Sequence, residues 1–239
     1  MCFKPYMDNM KLSIIIPAYN EEKRIPATLE SYGSFFKENA EIIVILNNCI
    51  DNTENIVKDK IKKYPNISYA TEEKIGKGNA IIKGIKEARG EYICFVDADS
   101  STEPDQIKKL YDEIQNSNFA GLIGSRWVKG AVIKKYQPIP RIIASRAYNL
   151  LVRIILGLPF KDTQCGAKIF QNAPIKEIID EITPTKWEFD VALLYPLFKK
   201  GYKIKEVPII WEDKTDTNLK IWPTATKMFK SLLKIRFRK

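Results

Sequence analysis

Glu91-Tyr92-Ile93-Cys94-Phe95-Val96-Asp97-Ala98-Asp99 is the stretch that decides how this chain is read. The apolar run, bounded by Arg89-Gly90, predicts a buried strand. It delivers two carboxylates to the strand's carboxyl end, where open α/β sheets bind their ligands. Ligands made only of oxygen suit a hard divalent cation such as Mg²⁺ or Mn²⁺, and such a cation suits a diphosphate. An acidic triplet alone is more often a solvated strand exit than a metal site, so the surrounding sequence has to decide.

Working outward, residues 12–16 form a compact apolar run closed by Pro17, and residues 41–46 form another closed by Asn47-Asn48. Both read as buried parallel strands. Between them Ile25, Leu29, Tyr32 and Phe36 keep helical spacing, with Pro26 in the first turn. A second helix carries Ile56, Val57 and Ile61, with Asp51 or Thr53 as its expected N-cap. A short strand at 67–70, a helix over 78–88, the strand at 92–96, a helix after Pro104 and a strand at 120–125 continue the alternation. That pattern predicts βαβ units and a mostly parallel, nucleotide-binding type of sheet flanked by helices.

From Tyr136 the pattern changes. Ile139, Ile142, Ile143, Ala147, Leu150, Leu151, Ile154 and Ile155 form a long apolar stripe set among Arg141, Arg146 and Arg153. Either a core helix with one wet face or a helix lying on a membrane surface would show it. Residues 203–211 supply one more strand-like run, broken by Pro208, and residues 222–239 form a basic amphipathic segment. No repeat or linker divides the chain. The expected organisation is one catalytic domain over 1–221, containing interfacial helices at 136–158, and a tail over 222–239.

Composition narrows the chemistry. With 239 residues, 45% of them hydrophobic, the chain can bury a full core. Its 39 Lys and Arg against 29 Asp and Glu, a formal charge of +10, imply an anionic partner: nucleic acid, an anionic membrane face or a phosphorylated substrate. Cys2, Cys49, Cys94 and Cys165 have no paired spacing, which argues against zinc or a disulfide framework and for a reducing compartment. Histidine is absent. Catalysis must then rest on carboxylates, metal, Lys or Arg, or on a substrate that is its own nucleophile. Residues 1–10 lack the pattern of a signal peptide, and the longest apolar run, 150–160, is too short to span a bilayer.

Several further motifs accompany the acidic triplet. Pro17-Ala18-Tyr19-Asn20-Glu21 leaves the first strand with a tyrosine able to stack on a base. Lys74-Ile75-Gly76-Lys77-Gly78-Asn79-Ala80 sets a cation and two glycines before a helix, so Lys77 and Gly78 are candidate anion contacts, although a surface turn would show the same residues. Gly124-Ser125-Arg126, Asp162-Thr163-Gln164-Cys165-Gly166-Ala167-Lys168-Ile169-Phe170, Trp187-Glu188-Phe189-Asp190 and Glu206-Val207-Pro208-Ile209-Ile210-Trp211 follow in order.

In this order and spacing the set, over about residues 11 to 235, resembles the polyprenyl-phosphate branch of the inverting family-2 glycosyltransferases. The Asp-Thr-Gln-Cys-Gly block looks more like the glucosyl than the mannosyl members. The resemblance implies a GT-A type fold and a metal-dependent, inverting transfer of a hexose from a nucleotide-sugar donor to a polyprenyl (dolichyl) phosphate. It also implies a peripheral place on the cytoplasmic face of a membrane. Pro17, Tyr19, Glu21 and Asn47 would line the nucleoside pocket, and Asp97, Ala98 and Asp99 would hold the ribose and the metal-diphosphate. Arg126, Arg141 and Ser145 would bind phosphate groups of donor and acceptor. Asp99, Arg126 and Arg141 are thereby the catalytic candidates, and Asp97, Asp99 and Ser101 the metal ligands.

Three positions depart from the family's pattern. Asn47 stands where an aspartate commonly reads the base, Ser101 where a glutamine can bind metal, and Thr217-Asn218-Leu219 where Ser-Lys-Leu is usual, leaving Lys214 or Lys220 to supply that cation.

A phosphate acceptor is already anionic and needs no general base, which suits a chain without histidine. A glycan acceptor would instead require Glu188 or Asp190 as base, and Asp190 could equally serve a helix N-terminus. The basic tail and the 139–155 stripe are expected to meet an anionic membrane surface. The motif set matches no nucleic-acid reader, so none is expected as a partner.

Overall fold

The computed structural model describes residues 11–182, 188–214 and 221–237, with the side chains of the last segment described from residue 229. Seven strands form the main sheet: β1 (Leu12–Ala18), β2 (Glu41–Leu46), β3 (Ile67–Thr71), β4 (Tyr92–Phe95), β5 (Gly121–Ser125), β7 (Lys168–Gln171) and β8 (Ile204–Pro208). Their order is β3-β2-β1-β4-β7-β5-β8. Every neighbouring pair is parallel except those of β7, which runs antiparallel to both β4 and β5. A separate parallel pair joins β6 (Val132–Lys135) to β9 (Ile210–Glu212).

Alternation along the strands explains the layers. On β1, Ile14 and Ile16 face one side and Ile15 the other. The first side is covered by α1 (Ile25–Phe36), α2 (Thr53–Lys63) and α4 (Pro104–Gln115) through Leu29, Tyr32, Val57, Ile107 and Leu110. The second is covered by α3 (Lys77–Glu87), α5 (Ile139–Leu156), α6 (Asn172–Ile178) and α7 (Phe189–Lys199), through Ile81, Ile85, Val152, Ile175 and Leu193. A crossover on each face buries both sides of the sheet, so the central strands read as unbroken apolar runs.

Some local expectations need correction. The first strand does not close at Pro17: it continues to Ala18, with Pro17 opposite Ile45 near the strand end. The N-cap of α2 is Asn52, not Asp51 or Thr53. Asp51 Oδ1 accepts the Thr53 N–H at 3.1 Å, while the Thr53 hydroxyl oxygen accepts the Glu21 N–H at 2.7 Å. The strands β6 and β7 were not anticipated.

Helix α5 does not bury the apolar stripe read from the sequence; its buried face is made by other residues. Tyr148, Asn149, Val152 and Leu156 are buried, while Ile139, Ile143, Leu150 and Ile154 lie 55–73% exposed along one stripe. Gly157, at φ +71°, ends it in a left-handed cap. The basic segment forms α8 (Ile221–Arg236), which packs against α5 and buries Leu232 completely. Phe229 and Phe237 remain on its outer side. Among the described residues no helix is long and apolar enough to cross a membrane.

Helix α3 lies directly on β1 because Gly84 has no side chain: a Cβ there would stand 2.4 Å from Ile15 Cγ2. Ile15 is fully buried and has no free direction to move. Gly84→Ala is therefore expected to lower stability by about 1–3 kcal/mol, the cost of overpacking, despite alanine's better helix propensity. Urea unfolding measures it, and a stabilised variant would contradict the close packing of α3 on β1.

Candidate active site

The carboxyl ends of β1, β2, β4 and β5 lie along one edge of the sheet; Tyr19, Glu21, Asn47, the acidic triplet with Ser101, and Arg126 follow them, while Pro17 lies within β1, Lys77 and Gly78 open α3, and Arg141 and Ser145 lie on α5. Tyr19, just past β1, is 54% exposed. Glu21 is held by Arg24 through a two-point bond, Nε to Oε2 and Nη2 to Oε1, both 2.7 Å. Burial raises the Glu21 carboxyl above its ordinary range; Arg24 opposes this, and the charges of Asp99 and Asp97 reinforce it. Those three carboxylates thus share one electrostatic neighbourhood.

The acidic triplet is fixed by its backbone. The Ala98 carbonyl accepts the Thr28 hydroxyl at 2.8 Å, and Ser100 adopts φ +56°, an uncommon conformation for a residue with a side chain. Asp99 Oδ1 accepts the Ser101 N–H at 3.0 Å. Asp97 Oδ1 accepts from Lys77 Nζ at 2.5 Å, and its Oδ2 lies where a Cβ on Gly166 would come within 2.1 Å. Glycine at 166 therefore leaves room for the carboxylate. Burial alone would raise the Asp97 carboxyl, but Lys77, Lys168 and Arg126 together hold it below the ordinary range. The same pairing raises Lys77: burial opposes its charge, and Asp97 and Asp190 outweigh that.

Arg126 departs from its expected role. Its backbone N–H and Nε both donate to Asp162 Oδ2, at 3.0 and 2.7 Å, and Nη2 donates to Oδ1 at 2.8 Å. The side chains are 8% and 0% exposed, and the guanidinium lies 5.0 Å from the Trp211 ring centre. With Nε and Nη2 both bonded to Asp162, most of the Arg126 fork is taken up within the protein. The Asp162 N–H and the Lys161 N–H donate in turn to Glu206, at 2.9 and 2.8 Å.

Asn47 likewise faces the protein. Its Nδ2 donates to the carbonyls of Glu72 and Lys74, and its Oδ1 accepts the Gly76 N–H, all at 2.8 Å. Ser101 contributes main-chain bonds, to Asp99 and from Glu212, and its side chain is buried. Pro17 and Gly78 shape backbone.

On α5, Arg141 lies in the first turn and Ser145 one turn on, where its hydroxyl donates to Gln164 Oε1 at 3.3 Å. Asn149, a further turn along and buried, accepts both the backbone N–H and the hydroxyl of Thr163, at 2.9 and 2.8 Å. The 161–166 segment is thus tied to α5 at one end and touches Asp97 at the other.

Lys168, a residue to which no role was given, is fully buried. Its Nζ donates to Asp190 Oδ1 at 2.6 Å and to the Cys165 carbonyl, and it stands 5.6 Å from the Phe95 ring centre. Asp190 sits in the first turn of α7. Trp187 and Thr217-Asn218-Leu219 with Lys220 lie outside the described residues. Asn149, Asp162, Gly166 and Lys168 were missed as contributors; all but Asn149 were visible only as members of the 162–170 block.

Among the described residues no group of three or more Asp, Glu, Cys or His forms a metal cage. Two carboxylates at a strand end nonetheless fit a cation such as Mg²⁺, which typically takes one or two protein carboxylates and fills its remaining positions from substrate phosphates and water.

Comparison with solved structures shows a GT-A type fold. Glucosyl-3-phosphoglycerate synthase from Mycobacterium tuberculosis, in complex with Mn²⁺, UDP and phosphoglyceric acid, aligns with a TM-score of 0.75 over 97% of this chain and 80% of its own, at 16% identity. By sequence, the dolichyl-phosphate beta-glucosyltransferase of Dictyostelium discoideum is 31% identical over 248 residues, covering 97% of this chain and 76% of that protein. The Saccharomyces cerevisiae protein of the same name is 31% identical over 94% of this chain and 74% of its own length. Glycosyltransferase AglD of Haloferax volcanii is 30% identical over 88% of this chain, which spans only 34% of that longer protein. Residues 13–179, which carry Glu21, Asp97, Asp99, Arg126 and Asp162, match the family model for Glycosyl transferase family 2, and the chain belongs to that family of glycosyltransferases.

Proposed function

We propose that this glycosyltransferase moves a hexose, with glucose favoured, from a nucleotide sugar to a polyprenyl phosphate with inversion. The observation that carries the reading is the junction of the Asp97-Asp99 carboxylates with α5, whose outer face is apolar and flanked by arginines. The names of the sequence relatives support the same donor and acceptor classes.

In this reading Tyr19 and the neighbouring backbone hold the nucleoside, and Asp97 with Asp99 would hold a divalent cation shared with the donor diphosphate. Such a cation, when bound, neutralises charge on the departing diphosphate. Lys77 lies beside the diphosphate position as a second cation, one third exposed. The acceptor phosphate approaches from α5 to Arg141 and Ser145. Its oxygen is already anionic, so orientation rather than proton removal is what the protein supplies. Arg126 acts through its neighbours, by locking Asp162 and the 161–166 segment, and is a positioning residue.

The glycan-acceptor alternative would make Glu188 or Asp190 a base, and of these Asp190 has its Oδ1 held by the fully buried Lys168. Asp190 is better read as the counter-ion that makes burial of Lys168 possible.

The acceptor lipid brings the enzyme to a membrane, on the cytoplasmic side in this reading. An open groove of about 450 Å³ runs along α5, lined by Ile142, Ile143, Arg146, Leu150 and Arg153 together with Lys161. Beside it α8 exposes Phe229 and Phe237 among Lys230, Lys234 and Arg236. Apolar residues with cations around them suit the headgroup level of an anionic leaflet.

Four outcomes are expected. With a radiolabelled nucleotide sugar and a short polyprenyl phosphate, the labelled product partitions into organic solvent; EDTA or Asp99→Ala abolishes it while the thermal melt is kept, and full activity in EDTA would refute the metal. Arg141→Ala raises the KM for lipid phosphate by roughly tenfold, the loss of one charge-assisted contact, and leaves that for the nucleotide sugar. Asp190→Asn unfolds more easily yet keeps transfer chemistry when folded, whereas a folded but inert variant would restore the glycan reading. Finally, binding to anionic liposomes weakens as salt rises and is reduced by Ile143→Glu with Ile154→Glu, read by co-sedimentation; unchanged binding would move the membrane face elsewhere.

A further inference from the structure

The loop between β3 and α3 lies beside the proposed donor site and has few ties of its own. Residues 72–76 lie between Thr71, the last of β3, and Lys77, the first of α3. Ile75 is 60% exposed, and Gly76 takes φ +137°, a conformation that favours glycine. The bonds that hold this segment come largely from the end of β2. Asn47 donates to Glu72 and Lys74 and accepts from Gly76, and Asn48 donates to the Glu73 carbonyl. The residue that follows, Lys77, is the one that bonds Asp97.

The orientation of the Asn47 amide is settled by its partners. Two carbonyl oxygens require its two N–H donors, and one N–H requires its carbonyl oxygen. Both donors are spent, and one lone pair of Oδ1 is left. Asn47 is also buried, so each bond would be costly to lose. An aspartate here would turn an anionic oxygen toward two carbonyls and hold the loop off.

We propose that Asn47 is the positioning residue of the donor pocket: its carboxamide latches residues 72–76 to β2 and so sets Lys77 against Asp97, leaving the base to be held by the loop backbone and Tyr19. This rests on the reading of the strand end as a nucleotide-sugar site. It assigns to position 47 a mechanical role in place of base reading, and it makes asparagine, not aspartate, the residue the loop requires.

The test measures UDP and GDP binding by calorimetry in the presence of Mg²⁺, with hydrogen exchange followed at residues 72–77. Asn47→Ala is expected to weaken the better nucleotide by at least tenfold and to speed exchange in the loop, with the rest of the sheet unchanged. Asn47→Asp should be as weak at pH 7.5 but regain affinity toward pH 5.5, because a protonated carboxyl recovers one donor; the alanine variant should show no such recovery. Asn55→Ala, on the exposed face of α2, serves as the control and should bind like the parent. If either variant fails to fold, Asn47→Ser, which keeps one donor, takes its place and should fall between the parent and alanine. Parent-like binding and exchange in a folded Asn47→Ala protein would overturn the latch. Absence of nucleotide binding by the parent would overturn the functional reading, and the latch with it.

Discussion

Asp97 keeps its negative charge inside the fold because cations from three separate segments surround it. Lys77 arrives from α3, Lys168 from β7 and Arg126 from the end of β5, and together they outweigh burial and hold the carboxyl below its ordinary range. The cations are themselves paired: Lys77 with Asp97, Arg126 with Asp162 and Lys168 with Asp190. Sheet order, the antiparallel insertion of β7 and the placing of α7 all have to be right before this balance exists. Removing one partner of such a pair strands a charge and costs about 3–5 kcal/mol when the site is buried.

The three pairs differ in access, and the difference separates chemistry from scaffolding. Arg126–Asp162 and Lys168–Asp190 are sealed, with no side chain more than 9% exposed. Lys77–Asp97 leaves a third of each side chain open to solvent. Only the open pair is accessible to a ligand; the sealed ones are not. The sealed pairs shape the wall against which the open one works.

Strand β7 and the segment before it connect α5 with the acidic strand end. Residues 161–166 are fastened to α5 through Ser145 and Asn149, to β8 through Glu206, and they leave room for Asp97 at Gly166. The apolar outer face of α5 and the carboxylates of Asp97 and Asp99 are therefore parts of one packed unit. Positioning of this kind is what a transfer between two bound anions demands, since the protein has little covalent chemistry to supply.

Residues 12–16, 41–46 and 91–96 announced their strands because both faces of a central parallel strand are buried, and burial on both faces writes itself as an unbroken apolar run. The Asp97-Ala98-Asp99 exit and the amphipathic stripe of α5 were legible for similar local reasons. Strand β7 was not: it is four residues long, begins with a lysine, and owes its place to β4 and β5 rather than to its own pattern. Nor could the sequence say that Arg126 is spent on Asp162, 36 residues away, or that Asn47 is spent on a loop 25 to 29 residues away. Residue types declare which bonds a side chain is able to make, and periodicity declares which face it occupies. Which partner takes the bond depends on distances between segments far apart in the chain, and only the packed tertiary structure sets those.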